Sequence, residues 1–119
     1  MNLVGYEEFQ TTLNRLEGMF NMLETSWVTK VLKPRLKKEF PGCIVLKNDA
    51  NQTPGFPDII VLYGYKYAVL EAKKHAKAKH RPNQDYYIDK LDEMGLAFFV
   101  YPENLEEVIE HMIQWFLYQ

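Results

Sequence analysis

Asp58, Glu71 and Lys73 are the residues whose types and spacing suit a chemical task. Asp58 follows Pro57 and opens the apolar run Ile59-Ile60-Val61-Leu62-Tyr63, while Glu71 and Lys73 stand near the end of the next apolar run. Strand side chains alternate between faces, so Glu71 and Lys73 project from one face and Ala72 from the other. A hairpin of the two runs delivers Asp58 to the same spot. Charges among Ile, Val and Leu are costly unless they pair or bind a metal, and two neighbouring carboxylates repel unless a cation lies between them. Mg²⁺ suits such a place, because it takes oxygen ligands from one or two carboxylates and leaves other positions to water and phosphate. The Ala72 carbonyl is a further candidate ligand. The metal polarises the phosphate and lowers the pKa of a bound water. Lys73 can orient or deprotonate that water, or stabilise charge on phosphorus.

The elements that must position these residues follow from periodicity and punctuation. Gly64 predicts a tight turn, so that 58–63 and 65–73 form an antiparallel hairpin. Ile44-Val45-Leu46 predicts an earlier strand, and the polar stretch 48–57, with Pro54, Gly55 and Pro57, a loop. Upstream, Phe9, Leu13, Leu16, Phe20, Leu23, Trp27 and Val31 recur at helical spacing. Gly18 is a candidate joint, and Asn21 with Glu24 resembles a capping box. Pro34 should kink or interrupt the helix it meets, and Pro41-Gly42 ends the region. A helix is expected over 83–94, with Pro82 before it and Gly95 as its stop. Leu96 to Val100 reads as a buried strand. Asn104 should cap a last helix whose inner face carries Leu105, Val108, Ile109, Met112, Ile113 and Phe116. The order is helix, three strands, helix, strand, helix: an α/β fold with a mixed sheet and helices on its faces.

The chain has 119 residues, 47% of them hydrophobic, which suits one domain with a real core. The expected division is a single domain over 1–119, with a core of about 23–101, an N-terminal helix in 1–22 and a C-terminal helix in 104–119. One cysteine, Cys43, excludes an internal disulfide and a Cys-rich zinc site. The start lacks a basic region followed by an apolar run, and no apolar stretch approaches the roughly 20 residues of a membrane span. A soluble, cytoplasmic protein is expected. Net charge is −2, but KKHAKAKHR (73–81) and KVLKPRLKK (30–38) contain no acid, so a polyanion can find a positive face.

Pro57-Asp58, twelve residues, then Glu71-Ala72-Lys73 resembles the signature of the PD-(D/E)xK nuclease superfamily. Gly55-Phe56-Pro57-Asp58 before an apolar strand, Gln84 opening a helix and Gly95 before another apolar strand are similar to the VRR-NUC subgroup, whose core is shared by archaeal Holliday-junction resolvases. The resemblance spans roughly 23–101. It implies a restriction-endonuclease-like single domain that hydrolyses DNA phosphodiesters with Mg²⁺ or Mn²⁺, using Asp58, Glu71 and Lys73. It also implies an acid from the first core helix. Glu24 fits that role, because at about 100° per residue it falls in the stripe of Phe20, Trp27, Val28 and Val31; Glu17 and Glu39 are rivals. The implied metal ligands are Asp58, Glu71, Ala72 and Glu24. Gln84 matches a family glutamine, but the tyrosine expected four residues later is Ile88 here, with Tyr86 and Tyr87 nearby.

Lys74, Lys77, Lys79, His80, Arg81 and Gln84 are the expected DNA contacts. By analogy with small stand-alone relatives, which are common in phages, the partner besides DNA is a second copy of the chain. Two rivals accompany this reading: a Holliday-junction resolvase of the same fold, and a DNA-binding or assembly module without catalysis. His75, His80 and His111 have no zinc-site spacing. Tyr63, Tyr65 and Tyr67 alternate along the hairpin and are open to packing, dimer or DNA contact.

Overall fold

The structure, a computed structural model, describes residues 5, 7, 8, 11, 24–48 and 53–119. Phe9, Leu13, Leu16, Gly18, Phe20, Asn21, Leu23 and the rival acid Glu17 lie outside the described residues.

Residues 24–39 form a helical run whose middle, Val28–Leu32, is a π-helix, followed by α1 (Lys33–Glu39). Pro34 does not interrupt this run. It stands in the first turn of α1, where the Lys33 N–H reaches back five residues to the Val28 carbonyl. The wider turn accommodates a residue that has no N–H and whose ring crowds the preceding turn. The same turn changes the buried phase. Leu32, Leu36 and Phe40 are fully buried, whereas Val31, expected on the inner stripe, is 42% exposed.

Four strands make one sheet in the order β1 (Ile44–Lys47), β2 (Ile59–Tyr63), β3 (Lys66–Ala72), β4 (Leu96–Val100). The first two pairings are antiparallel and the last is parallel. Gly64, at φ 63°, leads the two-residue turn between the paired residues Tyr63 and Lys66. The parallel return from β3 to β4 runs through α2 (Gln84–Met94), and α3 (Leu105–Tyr118) closes the chain.

One sheet face carries Ile59, Val61, Leu70, Ala72 and Val100 against α1 and against Leu105, Val108, Ile109 and Met112 of α3. The other carries Val69 and Ala97, with Ile60, Tyr67 and Phe99, against Ile88 and Leu91 of α2. Burial of these two seams is the main stabilising term. The tyrosines separate accordingly. Tyr63 packs against Phe40 and Phe116, Tyr67 donates its hydroxyl to the Leu91 carbonyl, and Tyr65 is fully exposed at the hairpin tip. Gly95 stops α2 for a steric reason rather than a left-handed one. Its φ is −164°, but a Cβ there would lie 2.5 Å from the Tyr67 ring.

Asn104 does not cap α3 with its side chain. A 3₁₀ turn, Pro102–Asn104, intervenes, and within it Asn104 Oδ1 accepts the Tyr101 N–H at 2.8 Å while Nδ2 donates to the Phe99 carbonyl at 2.9 Å. The amide thus satisfies the end of β4 instead of the start of α3. Among the described residues, no helix is long and apolar enough to cross a membrane.

Candidate active site

The β2–β3 ladder runs up to the pair Ile59–Leu70. Pro57 lacks an N–H, and beyond this point side chains take over the backbone's role. The Asp58 N–H donates to Glu71 Oε2 at 3.0 Å, and Asp58 Oδ1 accepts the Ala72 N–H at 3.2 Å. Each carboxylate therefore grips the other residue's strand. The Asp58 carbonyl accepts the Asn48 N–H at 2.7 Å, which ties the same point to the end of β1.

Glu71 and Lys73 leave β3 on the face covered by α2. The residue that meets them is Gln84, the first of α2. Gln84 Nε2 donates to Glu71 Oε1 at 2.8 Å, and its Oε1 accepts from Lys73 Nζ at 2.7 Å and from the Arg81 N–H at 2.8 Å. Lys73 Nζ also donates to the Lys79 carbonyl at 3.2 Å. Glu71, Lys73 and Gln84 are only 8%, 8% and 5% exposed, so all three are held by these bonds and not by solvent.

The loop before Asp58 is seated against the start of α2. Gly55 has φ +88°, and a Cβ there would lie 2.6 Å from Asn83 Cβ and 2.7 Å from the Pro82 carbonyl oxygen. Asn83 answers with its own left-handed φ of 70°. Phe56 meets Tyr87 of α2 with ring centroids 5.4 Å apart, and Pro57 is buried. The basic loop after β3 is pinned as well. Ala76 N–H donates to Glu103 Oε2 at 2.7 Å, and His80 pairs with Asp85 at 2.7 Å while stacking on Phe99 at 3.9 Å.

These elements enclose a cleft of about 790 Å³. Its wall includes the acids Glu24, Asp58 and Glu71 and the cations Lys47, Lys73, Lys74, Lys79 and Arg81. Acids and cations therefore share one cleft. Burial raises the Asp58 carboxyl above its usual range, opposed by the bond from the Ala72 amide. Burial and then the Asp58 charge push Glu71 up to about 8, against the pull of Lys73. Glu24 is also raised, chiefly by burial and next by Asp58, with Lys73, Lys74 and Arg81 opposing.

The donor set fits Mg²⁺ or Mn²⁺: two carboxylates and the Ala72 carbonyl, all hard oxygens. Among the described residues, no three His, Cys, Asp or Glu side chains come together as a metal cluster. Glu24, expected as a ligand, lines the cleft wall without completing a carboxylate triad. Its helical run packs on the α1–α3 face of the sheet, whereas Glu71 projects from the α2 face. Its rival Glu39 is bonded to Arg35 at 2.9 Å.

Of the expected nucleic-acid contacts, Lys74, Lys79 and Arg81 line the cleft, while Lys77 and His80 are exposed on the same loop. Gln84 is the buried brace between Glu71 and Lys73. Lys47 and Asn48 line the cleft without having been singled out. Lys47 pairs with Ile59, the neighbour of Asp58, so the strand register was the signal that locates it. Arg35 of the second basic stretch is committed to Glu39 and Glu106. No protein-family model and no curated protein matches the chain.

Proposed function

We propose that this chain is a divalent-metal-dependent DNA endonuclease with the restriction-endonuclease-like fold of the PD-(D/E)xK superfamily, closest in kind to VRR-NUC nucleases. The observation that carries the reading is the convergence of Asp58, Glu71 and Lys73 on the floor of a cation-rimmed cleft, braced by Gln84.

Asp58, Glu71 and the Ala72 carbonyl are the residues that hold Mg²⁺ or Mn²⁺. The bound ion supplies Lewis acidity at the scissile phosphate. Lys73 has three ammonium donors, of which Gln84 and Lys79 take two. The third is directed to the negative charge that grows on the phosphoryl group. Lys74, Lys79 and Arg81 grip the flanking backbone, which selects for polyanion shape and not for base sequence. A second copy of the chain provides the other incision of a paired cut.

The test is cleavage of labelled duplex, single-stranded and four-way-junction DNA with Mg²⁺, Mn²⁺ or EDTA, beside Lys73→Ala. Metal-dependent cutting that falls roughly 10²-fold or more in the variant is expected. A strong preference for junctions turns the reading towards a resolvase. DNA binding that survives EDTA, without cutting under any metal, replaces it with a non-catalytic module.

A further inference from the structure

Next to the cleft lies a second cavity, of about 480 Å³, whose lining is almost wholly apolar. Trp27 and Val31 of the helical run and Pro102, from the turn after β4, line it, together with Ser26 and His75. Lys30 and Lys74 also line it. Glu24 and Lys74 line both this cavity and the cleft, so the two spaces adjoin. β3 and β4 are parallel, and the chain segments that leave their carboxyl ends, at Lys74 and Pro102, both reach this pocket. That is the end of a sheet at which α/β folds hold ligands.

We infer that this pocket receives an unpaired nucleobase of the strand whose phosphate lies in the cleft, so that the enzyme takes nucleic acid with an extruded or single-stranded base and not uninterrupted duplex. The inference rests on the nuclease reading and adds the substrate class to it. A nucleotide joins an anionic phosphate to a planar apolar ring, and the two spaces, which have Glu24 and Lys74 in common, offer cations in one and the Trp27 ring in the other. Trp27 packs against the main core on its other side, which makes it a fixed stacking surface. Val31 leaves 42% of its surface to solvent, an apolar area that a base would cover. The volume is in the range of small-molecule sites. A paired base is held inside the duplex stack, and extrusion costs least where the base is already unpaired.

The experiment measures equilibrium binding in a Lys73→Ala background with Mg²⁺. The probes are a duplex with one bulged thymidine, the same duplex with an abasic bulge, and the fully paired duplex. The further variants are Val31→Gln, which fills the pocket with a neutral polar chain at an exposed position, and Trp27→Phe, which keeps an aromatic wall. Base stacking predicts that the bulged base strengthens binding roughly tenfold over the abasic site. Val31→Gln is expected to abolish that preference without weakening abasic binding, and Trp27→Phe to retain most of it. Equal binding of bulged and abasic DNA, or equal loss of both in Val31→Gln, overturns the pocket assignment alone. Absence of DNA binding here, together with absence of cleavage by the unmodified protein, overturns the nuclease reading as well.

Discussion

Lys73 Nζ donates to Gln84 Oε1 over 2.7 Å, deep in the floor of the cleft. The other end of the same amide donates to Glu71. Glu71 and Lys73 are two residues apart on one strand face, an arrangement that invites a direct ion pair. Among the described residues, none forms between them, because a neutral amide stands in the gap. Gln84 thereby holds the ammonium in place while leaving the carboxylate without a charged partner of its own.

Gln84 should act as a positioning residue. Gln84→Met removes both bonds at similar length and is expected to lower kcat roughly 10- to 100-fold, with a smaller change in KM. Gln84→Glu keeps the acceptor for Lys73 but places a second carboxylate against Glu71, so it should also shift the metal optimum upward. Steady-state kinetics over a metal titration checks both. A KM effect with unchanged kcat would point to simple substrate binding instead.

Metal and protons should compete for the floor of the site. Glu71 has a folded value of about 8 against 4.5 for an ordinary glutamate, so between those values the folded state binds more protons than the unfolded state. Metal-free stability therefore falls as pH rises through that window. Mg²⁺ or Mn²⁺ takes the proton's place and should raise Tm more at pH 8 than at pH 5. Asp58→Asn removes the neighbouring charge but not the burial, and should lessen the pH dependence, abolish the metal-induced rise and stop cleavage. Thermal melts with EDTA and with metal read all three; an equal metal effect at both pH values counts against the assignment.

Gly55 and Gly42 separate backbone strain from site geometry. Both have positive φ, but a Cβ at Gly55 would strike Asn83 and Pro82, whereas one at Gly42 meets nothing within 4 Å. Gly42→Ala should cost about 1 kcal/mol of stability and leave cleavage by the folded protein unchanged. Gly55→Ala should cost more stability, roughly 1–3 kcal/mol from strain alone, and lower Tm further. It should also reduce cleavage, since it pushes the Asp58 loop away from Gln84. Melting curves and specific activity on the two variants decide it.

Arg81 and Lys79 should contribute charge and not sequence preference. Replacing either with alanine is expected to weaken binding of all DNA sequences alike and to reduce the slope of log affinity against log salt by about 1. A change confined to one sequence would assign base contact instead.

The sequence by itself determined the strands, the hairpin and the convergence of Asp58, Glu71 and Lys73. These rest on local rules: side chains alternate along a strand, Gly64 permits a two-residue turn, and Gly95 ends α2 before a buried run. Only the tertiary structure decided what each polar group bonds to. Periodicity cannot show that the π turn before Pro34 rotates Val31 outward and Leu32 inward, because that depends on how one turn yields to the packing beneath it. Nor can it show that Asn104 serves β4 and not α3, or that Tyr63 and Tyr67 pack on opposite faces. Gln84 is 13 residues from Glu71 in the chain. Whether its amide faces outward or braces Glu71 and Lys73 depends on the Gly55 loop and the Asn83 turn, which bring α2 against β3. Glu24, which helical spacing aims inward, lines the same cleft, and only the packing of its helix on the sheet determines how near it comes to Asp58.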